Sequence, residues 1–253
     1  MITIAGRTVS RKGFGAMQLR SGTEPEVAVA VLRRAVELGV RVIDTAWFYG
    51  NDVVNRFIAD ALRPYPADLV LATKAGARVE HDGLWPQPDY SPHQLRAGND
   101  RDRIVLGLDT VPLTHLRWPN ADDSYDGVTF DQAFDTMLEM QAEGRIEHVG
   151  LSNVTLDQVR RAHAHGTVAS VSNLFSYGNQ ADAPTLAFCT EHGIPYLPYG
   201  PLGYGASGTP PAVPGQTSAQ AQLAWLLHRS PVTVLIPGTS SVKHLEENLA
   251  SRA

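Results

Sequence analysis

Eight short apolar runs alternate with longer amphipathic segments along almost the whole chain, and this alternation limits the possible folds more than any other feature. The runs are residues 13–18, 41–44, 69–74, 111–115, 148–152, 170–173, 194–198 and 232–236. Several are rich in β-branched residues and lack polar alternation, the pattern of strands buried on both faces. Between them, apolar residues recur at helical spacing. Residues 25–38 carry Val27, Val31, Leu32, Ala35 and Leu38 and stop at Gly39, and residues 130–143 repeat the pattern with Phe134, Met137 and Leu138 before Gly144. Residues 155–164, 186–192 and 218–228 read as helices on the same grounds. Strands separated by helices pair in parallel, because parallel neighbours need a crossover.

Eight such units in 253 residues match the size of a closed α/β architecture, the (β/α)8 TIM barrel. The alternative is an open doubly wound sheet, which carries a glycine-rich phosphate turn after its first strand. Here Gly13-Phe14-Gly15-Ala16-Met17-Gln18 lacks the third glycine and enters no immediate helix. The barrel is the expectation. The start, Ile2-Thr3-Ile4-Ala5-Gly6-Arg7-Thr8-Val9, reads as a short N-terminal β-hairpin turning at Gly6 and capping the barrel bottom. The Gly- and Pro-rich stretch 201–216 reads as a mobile loop within a single domain spanning 1–253.

Composition removes several functions. A net charge of -5, from 26 acidic and 21 basic residues, gives no electrostatic reason to expect nucleic acid. The single Cys189 excludes an internal disulfide and any CxxC metal knuckle, which suits a reducing compartment. No apolar h-region opens the chain, and no stretch approaches the roughly 18 apolar residues of a membrane span. A soluble cytoplasmic protein without a metal site, most simply a monomer, is expected.

In a barrel, function sits where strands end at the carboxyl face. Run two ends at Asp44, run three at Lys74 and run four at His115, and Tyr49 follows Asp44 within a short loop. A buried Lys needs a counter-charge, which Asp44 on the adjacent strand supplies. An ammonium beside a phenol favours the phenolate and brings the tyrosine into the working range of a general acid. His115 is placed to orient or polarise a carbonyl oxygen. The foursome suits protonation of that oxygen while a hydride reaches carbon, and the hydride must come from a cofactor.

The segment from Gly39 to Gly50, Gly-Val-Arg-Val-Ile-Asp-Thr-Ala-Trp-Phe-Tyr-Gly, resembles the first signature of the aldo/keto reductase superfamily. Gly144-Arg145-Ile146-Glu147-His148-Val149-Gly150-Leu151-Ser152-Asn153 resembles its second, and Ile236-Pro237-Gly238-Thr239-Ser240 with Glu247-Asn248 its third. The resemblance runs through nearly the whole chain in the right order. It implies a (β/α)8 barrel, NADPH bound at the carboxyl face, and an Asp-Tyr-Lys-His tetrad on Asp44, Tyr49, Lys74 and His115. It also implies that Ser152 and Asn153 hold the nicotinamide carboxamide and that Tyr199 stacks on the nicotinamide ring. Gly15, Ala16, Met17, Asp44, Gly200, Pro201, Leu202, Gly203, Ile236 and Pro237 fall at further cofactor positions.

This sequence departs from the family pattern at three of these positions. Ser172 stands where many members have Gln. Gly238 and His244 replace the Lys and Arg that usually meet the adenosine 2′-phosphate, leaving Thr239, Ser240 and Lys243 near a helix start for that anion. NADP(H) is the first choice of cofactor, with NAD(H) the alternative. The chain ends at Ala253 without the long substrate loop of some members, so an open pocket bounded by Trp47, Trp85, Trp118 and residues 119–127 is expected, suited to a flat or apolar aldehyde or ketone. An NADPH-dependent carbonyl reductase, reversible toward alcohol oxidation, leads. A Schiff-base lyase using Lys74 is opposed by the Asp44 partner, which keeps the amine protonated. A nicotinamide-binding regulatory subunit ranks third, since no segment reads as an interaction tail.

Overall fold

Six of the eight apolar runs supply the strands of one parallel sheet, and the other two close it into a ring. The strands are β1 (Phe14–Gly15), β2 (Val42–Asp44), β3 (Val70–Ala75), β4 (Leu113–Arg117), β5 (Val149–Ser152) and β6 (Val171–Ser172), paired in chain order. The last two runs continue the ring through parallel bridges of Val171 with Tyr196, Tyr196 with Thr233, and Leu235 with Lys12. Leu197 N donates to Val171 O at 2.7 Å, Val234 N to Tyr196 O at 2.8 Å, and Gly13 N to Leu235 O at 2.7 Å. The result is a (β/α)8 barrel with no free sheet edge. The structure is a computed structural model and describes residues 1–20, 22–78, 87–119, 122–203 and 208–251.

Eight helices wrap the described part of the ring: α1 (Pro25–Glu37), α2 (Val53–Leu62), α3 (Pro92–Leu106), α4 (Phe130–Ala142), α5 (Leu156–His165), α6 (Ala183–Glu191), α7 (Ser218–Arg229) and α8 (Val242–Leu249). Helices α4, α5 and α7 each begin with a Thr-x-x-Gln capping box, at Thr129, Thr155 and Thr217, which satisfies backbone donors that the helix start leaves free. The sequence pattern names neither α2 nor α3. Helix α3 hides because its buried face is Leu95, Gly98, Asn99, Asp102 and Leu106, three of them small or polar. The first run ends sooner than expected: after Gly15 the chain turns into a short 3-10 helix, Ala16–Leu19.

Strand side chains alternate between the barrel interior and the helices, and this period of two aims the functional residues. Val42, Val70, Ala72 and Leu113 point inward and pack with Leu197, Val234 and Ile236. Ile4 and Val9 join that cluster from the N-terminal hairpin, Ile2–Ile4 paired with Arg7–Val9, which plugs the barrel floor. Its turn at Ala5 and Gly6 has φ of 47° and 70°, the positive pair that a two-residue hairpin loop of this twist requires. Two residues further along the strands, the same interior faces carry Asp44, Lys74 and His115. On the opposite faces of β2 and β3, Ile43 and Leu71 pack with residues of α1 and α2 instead.

The Gly- and Pro-rich 201–216 stretch has no helix or strand among its described residues, and 204–207 lie outside them. Among the described residues, no helix is long and apolar enough to cross a membrane.

The closing seam is tight. A Cβ on Gly13 would lie 2.8 Å from Val42 O and 3.0 Å from Leu235 O, and one on Gly15 would lie 2.5 Å from Ile236 O. Gly13→Ala is expected to lower stability by about 1–3 kcal/mol, the usual range for overpacking, read as a shifted urea midpoint. An unchanged midpoint would show that the seam has room to spare.

Candidate active site

Lys74, on the interior face of β3, is the hub. Its Nζ lies 2.7 Å from each carboxylate oxygen of Asp44, 3.1 Å from the Thr45 carbonyl and 2.9 Å from the Tyr49 hydroxyl. Both Lys74 and Asp44 are almost wholly buried, the situation in which a charge must be paired. Burial pulls the ammonium down, but Asp44 and then Tyr49 outweigh it, and Lys74 titrates above its ordinary value. Burial also pushes the Asp44 carboxyl up, against the pull of Lys74. Lys74 is therefore a fixed cation, and its charge faces a phenol oxygen.

Tyr49 reaches Lys74 because the chain after β2 coils tightly. Tyr49 N donates to Ala46 O at 2.9 Å and Asp52 N to Trp47 O at 2.7 Å. Gly50, Asn51 and Asp52 follow with φ of 65°, 54° and 74°. Asn and Asp adopt this left-handed region more readily than most side chains. Arg101 of α3 locks the turn, its Nε 2.8 Å from Asp52 and its second nitrogen 2.6 Å from Asn51.

His115 behaves differently from the other three. It shares the interior face and pairs in register with Lys74 on one side and Gly150 on the other. Of the four side chains expected at a single opening, Asp44 and Tyr49 both lie within hydrogen-bond distance of Lys74 Nζ. His115 instead turns its Nε2 to the buried Ser170 hydroxyl, 2.8 Å away. Gly150 makes the space, since a Cβ there would lie 2.5 Å from the imidazole Cδ2. Burial first, and then the Lys74 charge, drive His115 down to about 3, so it stays neutral at physiological pH. Ser170 and Gly150 have no local sequence signal for this role. Only the cross-strand register reveals it.

Beside this centre lies a cavity of about 120 Å³ lined by Asp44 and Tyr49, by Gly15, Met17 and Gln18, by Tyr199–Gly203, and by Ile236–Gly238. Eleven of the expected cofactor residues are in that lining; Gln18 is an addition. Gly238 sits against β1, where a Cβ would meet Gly15 O at 2.6 Å, so the seam leaves no room for a side chain there. Tyr199 OH donates to Asn153 Oδ1 at 2.8 Å, and Asn153 Nδ2 donates to the Trp118 carbonyl at 2.7 Å. Asn153 and Tyr199 also border a second, more polar cavity of about 340 Å³.

The other expected cofactor residues do not line the first cavity. Ala16 packs into the core between the barrel and α1, and Ser152 and Ser172 are buried, the Ser172 hydroxyl without a partner among the described residues. Thr239 accepts from Ser241 N at 3.0 Å, next to the start of α8. Ser240 and His244 are exposed there, Glu247 is half-buried and Asn248 buried.

The aromatic walls need correction. Trp118 is fully buried, donates to Asp122 O at 2.6 Å and packs on Tyr90 and Phe130. The fourth strand runs on to Arg117, so alternation turns Trp118 toward the helices rather than the mouth. Trp47 is also buried, with Arg101 4.7 Å from its ring and its edge against Gly98. Trp85 lies outside the described residues.

Residues 13–209 match the model of the family described as "Aldo/keto reductase family". Pyridoxine 4-dehydrogenase from Escherichia coli K12 is 40% identical over 266 residues, covering 98% of this chain and 91% of that protein. An aldo-keto reductase from Bacillus halodurans in its holo form superposes with a TM-score of 0.81 at 22% identity, covering 97% of this chain and 87% of that one. An aldo/keto reductase from Klebsiella pneumoniae in complex with NADP and acetate gives 0.80 at 21%, covering 99% and 88%.

One buried acid outside the centre shapes the pH response. Burial pushes the Asp102 carboxyl up to about 8, Asp52 adding to the rise while Asn55, Thr73 and Lys74 oppose it. The unfolded value is about 3.9. The folded state therefore holds an extra proton between the two, and stability falls as pH rises through that window. Asp102→Asn is expected to remove up to roughly 1 kcal/mol per pH unit of that fall, measured by urea unfolding across the window. An identical slope in both proteins would contradict the assignment.

Proposed function

The chain belongs to the aldo/keto reductase family, and on that premise we propose that it is an NADPH-dependent oxidoreductase that interconverts an aldehyde or ketone and its alcohol, with Tyr49 as general acid. The observation that carries this reading is the Lys74 ammonium held 2.9 Å from the Tyr49 hydroxyl while Asp44 neutralises it from the other side at 2.7 Å.

NADPH, when bound, supplies the hydride that reaches the carbonyl carbon. The residues present suit it: a seam bare of Cβ atoms at Gly15 and Gly238, backbone around Gly200–Gly203, and the Tyr199 ring anchored through its hydroxyl. Ser152, Asn153 and Ser172 stand nearest the carboxamide end in this reading. Thr239, Ser240, Lys243 and His244, at the start of α8, stand nearest the 2′-phosphate. Tyr49 gives its proton to the carbonyl oxygen, and Lys74 stabilises the phenolate left behind until solvent returns a proton. His115, neutral and with its Nε2 held on Ser170, supplies no proton. In the reverse direction the Tyr49 phenolate accepts the alcohol proton.

The name of the Escherichia coli relative, pyridoxine 4-dehydrogenase, makes a hydroxymethyl–aldehyde pair on a pyridine ring the first substrate class to try. A panel of pyridoxal and other aromatic and aliphatic carbonyls, followed by NADPH absorbance with NADH in parallel, tests both substrate and cofactor. Tyr49→Phe is expected to lower kcat by about 10²–10⁴ with NADPH binding by fluorescence unchanged; a rate within a few-fold of the parent would refute the acid role. Lys74→Met is expected to lower the neutral rate and move the high-pH fall of carbonyl reduction further up. A profile superimposable on the parent's would remove Lys74 from the proton transfer.

A further inference from the structure

Thr45, the residue after Asp44, connects the Lys74 hub to two helices behind the barrel wall. Its carbonyl accepts from Lys74 Nζ at 3.1 Å, while its hydroxyl points the other way and donates to Asn55 Oδ1 of α2 at 2.7 Å. Asn55 Nδ2 then donates to Asp102 Oδ1 of α3, also at 2.7 Å. All three side chains are fully buried. Next to Asp102 on α3, Arg101 holds Asp52 and Asn51, the far end of the same turn, with its guanidinium over Trp47. Two neighbouring residues of one helix thus grip both ends of residues 45–52, and Tyr49 lies between the grips.

Burying a hydroxyl, an amide and a carboxyl costs free energy that an apolar trio of the same volume would avoid. Such a trio would pack α2 against α3 but would leave the Thr45 side chain untied to either helix, with only the backbone bonds of Thr45 N to Ala72 O and of Lys74 to its carbonyl holding that end of the turn. Asp102 is mostly protonated at neutral pH. It therefore brings hydrogen bonding without a second negative charge to compete with Asp44 for Lys74.

We propose that Thr45, Asn55, Asp102 and Arg101 are positioning residues for the general acid: α3 fixes the turn that carries Tyr49 and so sets the contact between its hydroxyl and Lys74. This rests on the reading of Tyr49 as the acid. The geometry needs it because the Tyr49–Lys74 contact joins a loop to a strand, and a displacement of about 1 Å at a reacting group can cost about 10²-fold in rate.

The test is Thr45→Val, which replaces the hydroxyl by a methyl group and leaves the backbone carbonyl in place. The expected result is a fall in kcat of between about 10- and 100-fold, little change in NADPH affinity, and a high-pH limb of carbonyl reduction displaced upward. Thr45→Ser restores the hydroxyl and is expected to return both rate and limb toward the parent. Asn55→Leu cuts both links of the chain and carries the same expectation as Thr45→Val, so the proposal stays testable if one variant does not fold. Folded Thr45→Val or Asn55→Leu protein with the parent's rate and pH profile overturns the proposal. So does a Thr45→Ser variant as impaired as Thr45→Val, which would place the effect in packing. Tyr49→Phe in parallel separates the two claims: if it keeps the parent profile, the reading of Tyr49 has failed, and if it alone loses the profile, only the grip has failed.

Discussion

A lysine ammonium buried inside a barrel has to be neutralised, and the way Lys74 meets that demand organises everything around it. Asp44 supplies two oxygens, the Thr45 peptide one and Tyr49 its hydroxyl, all within 3.1 Å of one nitrogen. The first two satisfy a structural need. The third is the contact on which the proposed acid role of Tyr49 rests, because a phenol held against a fixed cation is easier to ionise than a phenol in water. Removing the carboxylate would leave the ammonium uncompensated, and the site would be lost with the stability.

The barrel makes this arrangement possible through two simple rules. Side chains alternate along each strand, so a strand that buries Val70 and Ala72 in the floor cluster must aim Lys74 into the same interior one step higher. Neighbouring strands are in parallel register, which sets His115 level with Lys74 and Gly150 level with His115. Closure adds the third constraint. The first strand can meet the eighth only where side chains are absent, and the bare backbone at Gly15 and Gly238 becomes one wall of the cavity beside Tyr49.

Much of this is legible in the chain itself, for physical reasons that also mark where legibility stops. Asp44, Lys74 and His115 stand out because a charged or polar group ending an apolar run is costly unless it has a partner. The hairpin is legible from its turn at Gly6. Helix α3 is not, since Gly98, Asn99 and Asp102 interrupt the apolar spacing of its inward face, Gly98 lying against Trp47 and Asp102 accepting from Asn55 of α2. The place of Trp118 turns on two strand residues: with the strand ending at His115 it belongs to a loop, and with Leu113–Arg117 formed it belongs to the core. The Ser170 contact of His115 reaches across the intervening strand at Gly150 and so depends on three neighbouring strands in register, which no local pattern encodes.

The central claim is electrostatic, and a direct titration of the Tyr49 ring reaches it without a substrate. Isotope-labelled tyrosine followed by NMR, with Tyr49→Phe to identify the resonance, gives the midpoint of ionisation in the folded protein. The expected midpoint lies below the ordinary phenol value of about 10 and moves upward when Lys74 is replaced by Met. A Tyr49 midpoint at or above that value with Lys74 in place would contradict it.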